Sequence, residues 1–180
     1  MASLRPFSLF FPLATVLLCI SPIICDTNIE DMITRICRQM EEFGFCYNTF
    51  HENLDSRSPD LKTLTQITID QSIVNATNSH YYAALLLHNA PEGPDKYALM
   101  ACENAYALIL RQFQEASGYF NNGDYQSVVD AERVMPRALG SCTSYYITPP
   151  YPANPLADRN RQMRILITMS IVTVHYLVQP

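Results

Sequence analysis

A chain of 180 residues with 17 acidic and 12 basic side chains has a formal charge of −5, and an acidic chain has no electrostatic footing for gripping nucleic acid or another polyanion. It contains only five glycines, and its long stretches without turn signals argue for helices rather than a many-turned β fold. No Gly-x-Ser-x-Gly, phosphate loop, dinucleotide fingerprint or His-Glu-x-x-His occurs, which points away from an enzyme and implies no cofactor.

The first 25 residues, MASLRPFSLFFPLATVLLCISPIIC, hold one cation, Arg5, and an apolar run from Phe7 to Ile24. This is the pattern of a secretory signal peptide. A membrane anchor is the weaker interpretation, because Pro12 and Pro22 interrupt the run and a span needs roughly 20 predominantly apolar residues. Cleavage is expected after Cys25, leaving residues 26–180 as one domain in an oxidising compartment, without membrane attachment, at a charge of about −6 once Arg5 is gone. Of six cysteines, Cys37, Cys46, Cys102 and Cys142 then remain. Four cysteines allow three connectivities. Zinc is disfavoured, since no Cys-x-x-Cys or histidine pair stands beside them.

Residues 26–54 place Ile29, Ile33, Ile36 and Met40 on one helical face, with Gly44 as a break and a second short helix near Cys46,. Cys37 and Cys46 would staple this helical hairpin, which is too small to bury a core alone.

Four long periodic segments follow over residues 59–178. The first, residues 60–88, is expected to be capped by Ser58 with Pro59 in its first turn. Its apolar seam is Leu64, Ile67, Val74, Tyr81 and Leu85, with Gln71 and Asn78 between. The second, residues 95–121, has the most regular rhythm: Leu99, Cys102, Tyr106, Ile109, Phe113, Ala116 and Phe120,. Asn-Asn-Gly-Asp then makes a tight turn with Asp124 as the next cap. The third segment repeats the rhythm with Val128, Ala131, Met135, Ala138, Cys142 and Tyr145, and Pro136 is expected to kink or split it,. Cys102 near the start of one helix and Cys142 near the end of the next suit antiparallel neighbours, which supports their pairing. Four prolines make residues 147–155 a stiff linker. The last helix, residues 156–178, has Leu156, Met163, Ile167, Ser170, Val174 and Leu177 on its seam; a cleaved lipid-anchor tail is the weaker alternative there,.

Histidines His51, His80 and His88 lack ligand spacing, and Glu41, Glu42, Asp130 and Glu132 read as solvated helix faces. Eleven tyrosines suit packing or interface anchoring. Asn75-Ala76-Thr77 is a glycosylation sequon. A small, stapled, secreted bundle of this kind suits a binding protein.

The chain resembles the plant invertase and pectin methylesterase inhibitors. The likeness rests on Cys37-x8-Cys46, on ALMACENAYALIL with Tyr106 four after Cys102, on FNNGDYQSVVDAE, on Cys142 and on the closing LITMSIVTVHYL. It implies an up-down-up-down four-helix bundle with an N-terminal helical hairpin, and disulfides Cys37–Cys46 and Cys102–Cys142. It further implies a non-catalytic, secreted, apoplastic or vacuolar protein whose partner is pectin methylesterase or acid invertase. Invertase-directed members carry Pro-Lys-Phe after the Gly-Asp turn, where this chain has Tyr125-Gln126-Ser127. Pectin methylesterase inhibitors have Asp-Tyr there and Thr before the fourth cysteine; this chain has Asp124-Tyr125 and Ser141. The resemblance therefore favours pectin methylesterase, through Asp124, Tyr125, Gln126, Ser127 and Ser141. A diverged interaction protein on the same scaffold is the alternative.

Overall fold

The computed structural model describes residues 23–55, 59–147 and 153–179, with side chains from residue 29 onward. Among them are seven helices and no strand. Helices α1 (Ile23–Cys37) and α2 (Phe43–Asn53) form a hairpin; α3 (Leu61–Asn89), α4 (Pro94–Asn121), the pair α5 (Tyr125–Glu132) and α6 (Met135–Ser144), and α7 (Ala157–Val178) form the bundle. Helix α3 packs on α4 and α7, α4 on α5 and α6, and these two on α7, which closes the up-down-up-down ring. The expected signal segment lies outside the described residues up to position 22, and the expected cleavage point after Cys25 falls within α1.

The hairpin faces inward with Ile29, Ile33, Ile36, Met40 and Phe50, which bury against Leu64 and Ile67 of α3 and Ile165, Leu166 and Met169 of α7. The Cys37–Cys46 disulfide ties its two arms. Gly44 does not break the first helix as expected; that helix ends at Cys37, and Gly44 lies in the first turn of α2. Glu41 and Glu42 are likewise not on a helix face. They stand in the interhelix turn, where Arg164 of α7 donates to both oxygens of Glu41 at 2.9 and 3.0 Å and Arg161 pairs with Glu42. These pairs are half exposed, so each contributes at most about 1 kcal/mol. Arg164→Ala should therefore speed amide exchange in α1 and α2 up to about fivefold while leaving α4 unchanged. Uniform acceleration throughout the chain would mean that the hairpin does not open on its own.

Helix α3 departs most from expectation. Its cap is Asp60, whose Oδ1 accepts from the backbone N and the hydroxyl of Thr63, both at 2.8 Å; Ser58 lies outside the described residues. The expected seam holds in the first turns, where Leu64 and Ile67 are buried together with Ile69, but not beyond them; the rest of the buried face is a row of small residues, Thr65, Thr68, Ser72, Ala76, Ser79 and Ala83. Val74 is 52% and Tyr81 71% exposed, and Leu85 also faces solvent. Small side chains permit close approach of α4 and α7, and their hydroxyls cost little to bury because the helix satisfies them. Thr65 donates to Leu61 O at 2.8 Å, Thr68 to Thr65 O at 2.7 Å and Ser72 to Thr68 O at 2.6 Å,.

Helix α4 follows its sequence rhythm, with Leu99, Cys102, Tyr106, Ile109, Phe113 and Ala116 all buried. Cys102 is disulfide-bonded to Cys142, their Cα atoms 4.2 Å apart. Beside the bond, Tyr106 donates to Asn160 Oδ1 at 2.7 Å, and the Asn160 amide reaches Cys142 Sγ at 3.4 Å. The third bundle segment is split rather than continuous: α5 ends at Glu132 and α6 starts at Met135, with Pro136 in its first turn, where a missing N–H costs nothing,. Its seam residues are buried except Tyr145, which lies past the end of α6 and is exposed. Helix α7 buries Met163, Ile167, Ser170 and Val174 as expected, and residues 148–152 of the linker lie outside the described residues.

Glu132 overturns its expected place on a solvated face. Asp130 does face solvent and pairs with Arg133 at 3.0 Å, but Glu132 is only 1% exposed. The Ser170 hydroxyl donates to its Oε1, while Oε2 has no partner among the described residues. Burial pushes its carboxyl up to about 8, so a neutral acid sits between α5 and α7.

Candidate functional site

The α4–α5 turn is built by its own backbone. Gly123 takes φ +75°, and its N–H donates to Phe120 O at 2.9 Å while Asp124 N donates to Tyr119 O at 3.0 Å. A positive φ here suits glycine and closes the carbonyls at the end of α4. Asp124 then caps α5, accepting from Ser127 N at 3.1 Å and from Ser127 Oγ at 2.6 Å. These bonds hold the Asp124 carboxyl below the usual range, so the cap stays ionised until the pH falls through that lowered value.

Tyr125 is half-buried. Its ring stands 5.5 Å from Phe120, and Lys62 Nζ lies 5.9 Å from the ring centroid, within cation–π range. Next to the pair, a broad groove of about 560 Å³ runs between α3 and the end of α2, lined by Asn53, Asp55, Lys62, Gln66, Asp70 and Phe120 among others. Gln126 projects into solvent. The end of the bundle thus offers an aromatic pair, one cation, several carboxylates and exposed amides around a rigid turn. Such a surface can bind a protein; among the described residues no three His, Cys, Asp or Glu side chains converge to hold a metal.

The candidate residues divide into two places. Asp124, Tyr125, Gln126 and Ser127 come together, although Asp124 and Ser127 direct their side chains to each other. Ser141 lies near the far end of the separate helix α6, beyond the break after Glu132, and its hydroxyl donates to Ala138 O at 2.6 Å. Asn75 is elsewhere again, half-buried on α3 with its amide donating to Gln162 Oε1 at 3.2 Å. The sequence reading missed Lys62 as a neighbour of Tyr125 and Asp70 as part of the adjoining groove, though antiparallel packing of α3 on α4 requires the start of one beside the end of the other. The burial of Glu132 was missed too, although its position four residues after seam residue Val128 puts it on the inner face.

The family model described as plant invertase/pectin methylesterase inhibitor matches residues 31–146, a span that holds both disulfides and the α4–α5 turn. The chain belongs to that family. As a member of the inhibitor family it is 27% identical over 146 residues to a pectinesterase inhibitor of Actinidia deliciosa, which covers 79% of each chain. A crystal structure of a pectin methylesterase inhibitor from Arabidopsis thaliana superposes with a TM-score of 0.63 at 17% identity, covering 82% of this chain and 96% of that one. A mutant form of an Arabidopsis pectin methylesterase inhibitor gives 0.70 at 15% identity, covering 79% and 95%. At those identities the two structures speak for the fold, which is the helical bundle described above. No helix among the described residues is long and apolar enough to cross a membrane.

Proposed function

We propose that this chain is a secreted, non-catalytic inhibitor that caps the active-site cleft of a cell-wall pectin methylesterase, in preference to acid invertase. The observation that carries the proposal is the rigid α4–α5 end, where a capped turn presents Tyr125 and Gln126 beside the Lys62–Asp70 groove. The curated relative from Actinidia deliciosa supports the choice of target, as does Tyr125-Gln126-Ser127 in place of Pro-Lys-Phe. On this proposal residues 1–25 are a signal peptide, residues 26–180 are the mature apoplastic protein, and Asn75 is its glycosylation position. Tyr125 and Gln126 make contact while Asp124 and Ser127 hold the turn. Ser141 takes part only if the partner spans the length of α5 and α6. A face of about 800 Å² per partner, the usual requirement, is within reach of a bundle this size.

Titration of the oxidised protein against purified pectin methylesterase and acid invertase at mildly acidic pH should abolish the first activity stoichiometrically and spare the second. Tyr125→Ala should raise the concentration needed about tenfold or more, as loss of a central aromatic anchor does. Loss of neither activity would replace the inhibitor with a diverged interaction protein on the same scaffold. An unchanged Tyr125→Ala would move the contact away from this turn.

A further inference from the structure

Where the hairpin meets the bundle, a cleft of about 210 Å³ is lined by the carboxamides of Asn53, Gln71, Asn75 and Asn78, by Glu52, and by apolar Phe45, Val74 and Leu166. Some of its polar groups are committed to the fold. Asn53 accepts from Gln71 at 2.7 Å, which joins α3 to α2, and donates to Thr49 O at 2.8 Å, while Asn75 donates to Gln162 and accepts from Ser79, so both of these carboxamides are engaged at each end. Others remain available: the exposed side chains of Asn78 and Glu52 make no hydrogen bond among the described residues, and the Gln71 side-chain carbonyl oxygen keeps its acceptor capacity. We propose that this cleft binds a neutral saccharide unit.

A carboxamide presents a donor and an acceptor side by side, which matches a hydroxyl that both donates and accepts. The Asn78 carboxamide, with the Gln71 carbonyl and the Glu52 carboxylate as further acceptors, fits a ring with hydroxyls on its rim and C–H groups on its faces, here turned toward Phe45, Val74 and Leu166. An apolar ligand would strip water from the amides without replacing its hydrogen bonds. A uronate or phosphate would meet the Glu52 carboxylate, and no cation lines the cleft. The sugar could reach the cleft from two sources. It could be the first residue of a glycan attached to Asn75, whose carboxamide is part of the lining and whose sequon is Asn75-Ala76-Thr77, or a free neutral oligosaccharide unit.

Thr77→Ala separates the sources, because Thr77 is exposed, lies outside the cleft and only donates to Ile73 O. It removes the sequon and leaves Asn75 in place. In Thr77→Ala protein from a secreting host, saturation-transfer NMR should detect N-acetylglucosamine and methyl α-galactoside, with galacturonate clearly weaker. Asn78→Leu in that background should weaken binding about tenfold, the equivalent of roughly one hydrogen bond, and circular dichroism would check that its helices are intact. Glycopeptide mass spectrometry of the wild type assigns the source. An occupied Asn75 whose protein no longer takes free sugar makes the attached glycan the occupant, and an unoccupied Asn75 with free-sugar binding makes it an outside ligand. No transfer from either neutral sugar in Thr77→Ala, or transfer that Asn78→Leu leaves unchanged, overturns the proposal. Neither result bears on whether the α4–α5 end inhibits an enzyme.

Discussion

Glu132→Gln will remove a pH dependence of stability that the wild-type protein shows between pH 4.5 and about 8. The side chain is buried under α7 with the Ser170 hydroxyl on one oxygen and no partner among the described residues on the other. Arg133 and His175 stand at the rim of a cavity of about 290 Å³ beside it, and neither forms an ion pair with it. Because the folded-state pKa lies above the unfolded one, the native protein keeps its proton after the unfolded chain has released it. The stability tied to this proton is fully present below pH 4.5 and is lost as pH rises through about 8,. At about 1.4 kcal/mol per pH unit the full loss comes to roughly 5 kcal/mol. Glutamine keeps the shape of the protonated acid and cannot ionise, so the variant should match the wild type near pH 4.5 and melt about 10 °C higher near pH 8. Melting curves recorded at acidic, neutral and mildly alkaline pH measure the difference directly. If the two proteins changed in parallel across that range, Glu132 would not be the proton that matters.

The second large effect is expected at the disulfides, and it should be unequal. In the chain-entropy picture a cross-link stabilises in proportion to the logarithm of the loop it closes. Cys102–Cys142 spans 40 positions and Cys37–Cys46 spans nine, which correspond to about 4 and about 3 kcal/mol. The consequences also differ in place. The longer link joins α4 to α6 inside the main core, beside Tyr106 and Asn160, so Cys102→Ala/Cys142→Ala should lower the urea midpoint of the whole bundle. The shorter link ties only the hairpin, and Cys37→Ala/Cys46→Ala should chiefly loosen α1 and α2. Equal midpoints for the first variant and the wild type would contradict the assignment of the larger role to the α4–α6 link.

What could be read from the sequence depended on how a helix earns its burial. Helix α4 buries large apolar residues at alternating three and four, so its period, its inward cysteine and its partner were all legible. The turn after it was legible too, because Gly123 and Asp124 are the residues that a helix end and a helix start require. Helix α3 was misread on chemistry, not on period. Leu64 and Ile67 are buried as the seam required, but most of the remaining interior is Thr, Ser and Ala, which carry little hydropathy signal, while Val74, Tyr81 and Leu85 look outward. Glu132 was hidden by the same bias, since a carboxylate is read as solvated until its neighbours are known. The candidate site was half legible. Local motifs placed the turn residues, but Lys62 reaches Tyr125, and Asp70 the adjoining groove, only through the pairing of distant helices, and Ser141 lies on the separate helix α6.

The break at Pro136 has a bearing on how such a molecule can change over generations. The two halves of the rod rest on different ground: Val128 and Ala131 of α5 lie with Ile69, Ala116 and Val174, whereas Met135, Ala138, Leu139 and Cys142 of α6 lie with the large core around Tyr106 and Phe113. A substitution that tilts α5 and re-aims Tyr125 has a joint to absorb it before it reaches the cross-linked layer. The exposed positions of α5 can therefore change, and the helix can shift on its own small cluster, without disturbing the cross-linked layer that holds α6.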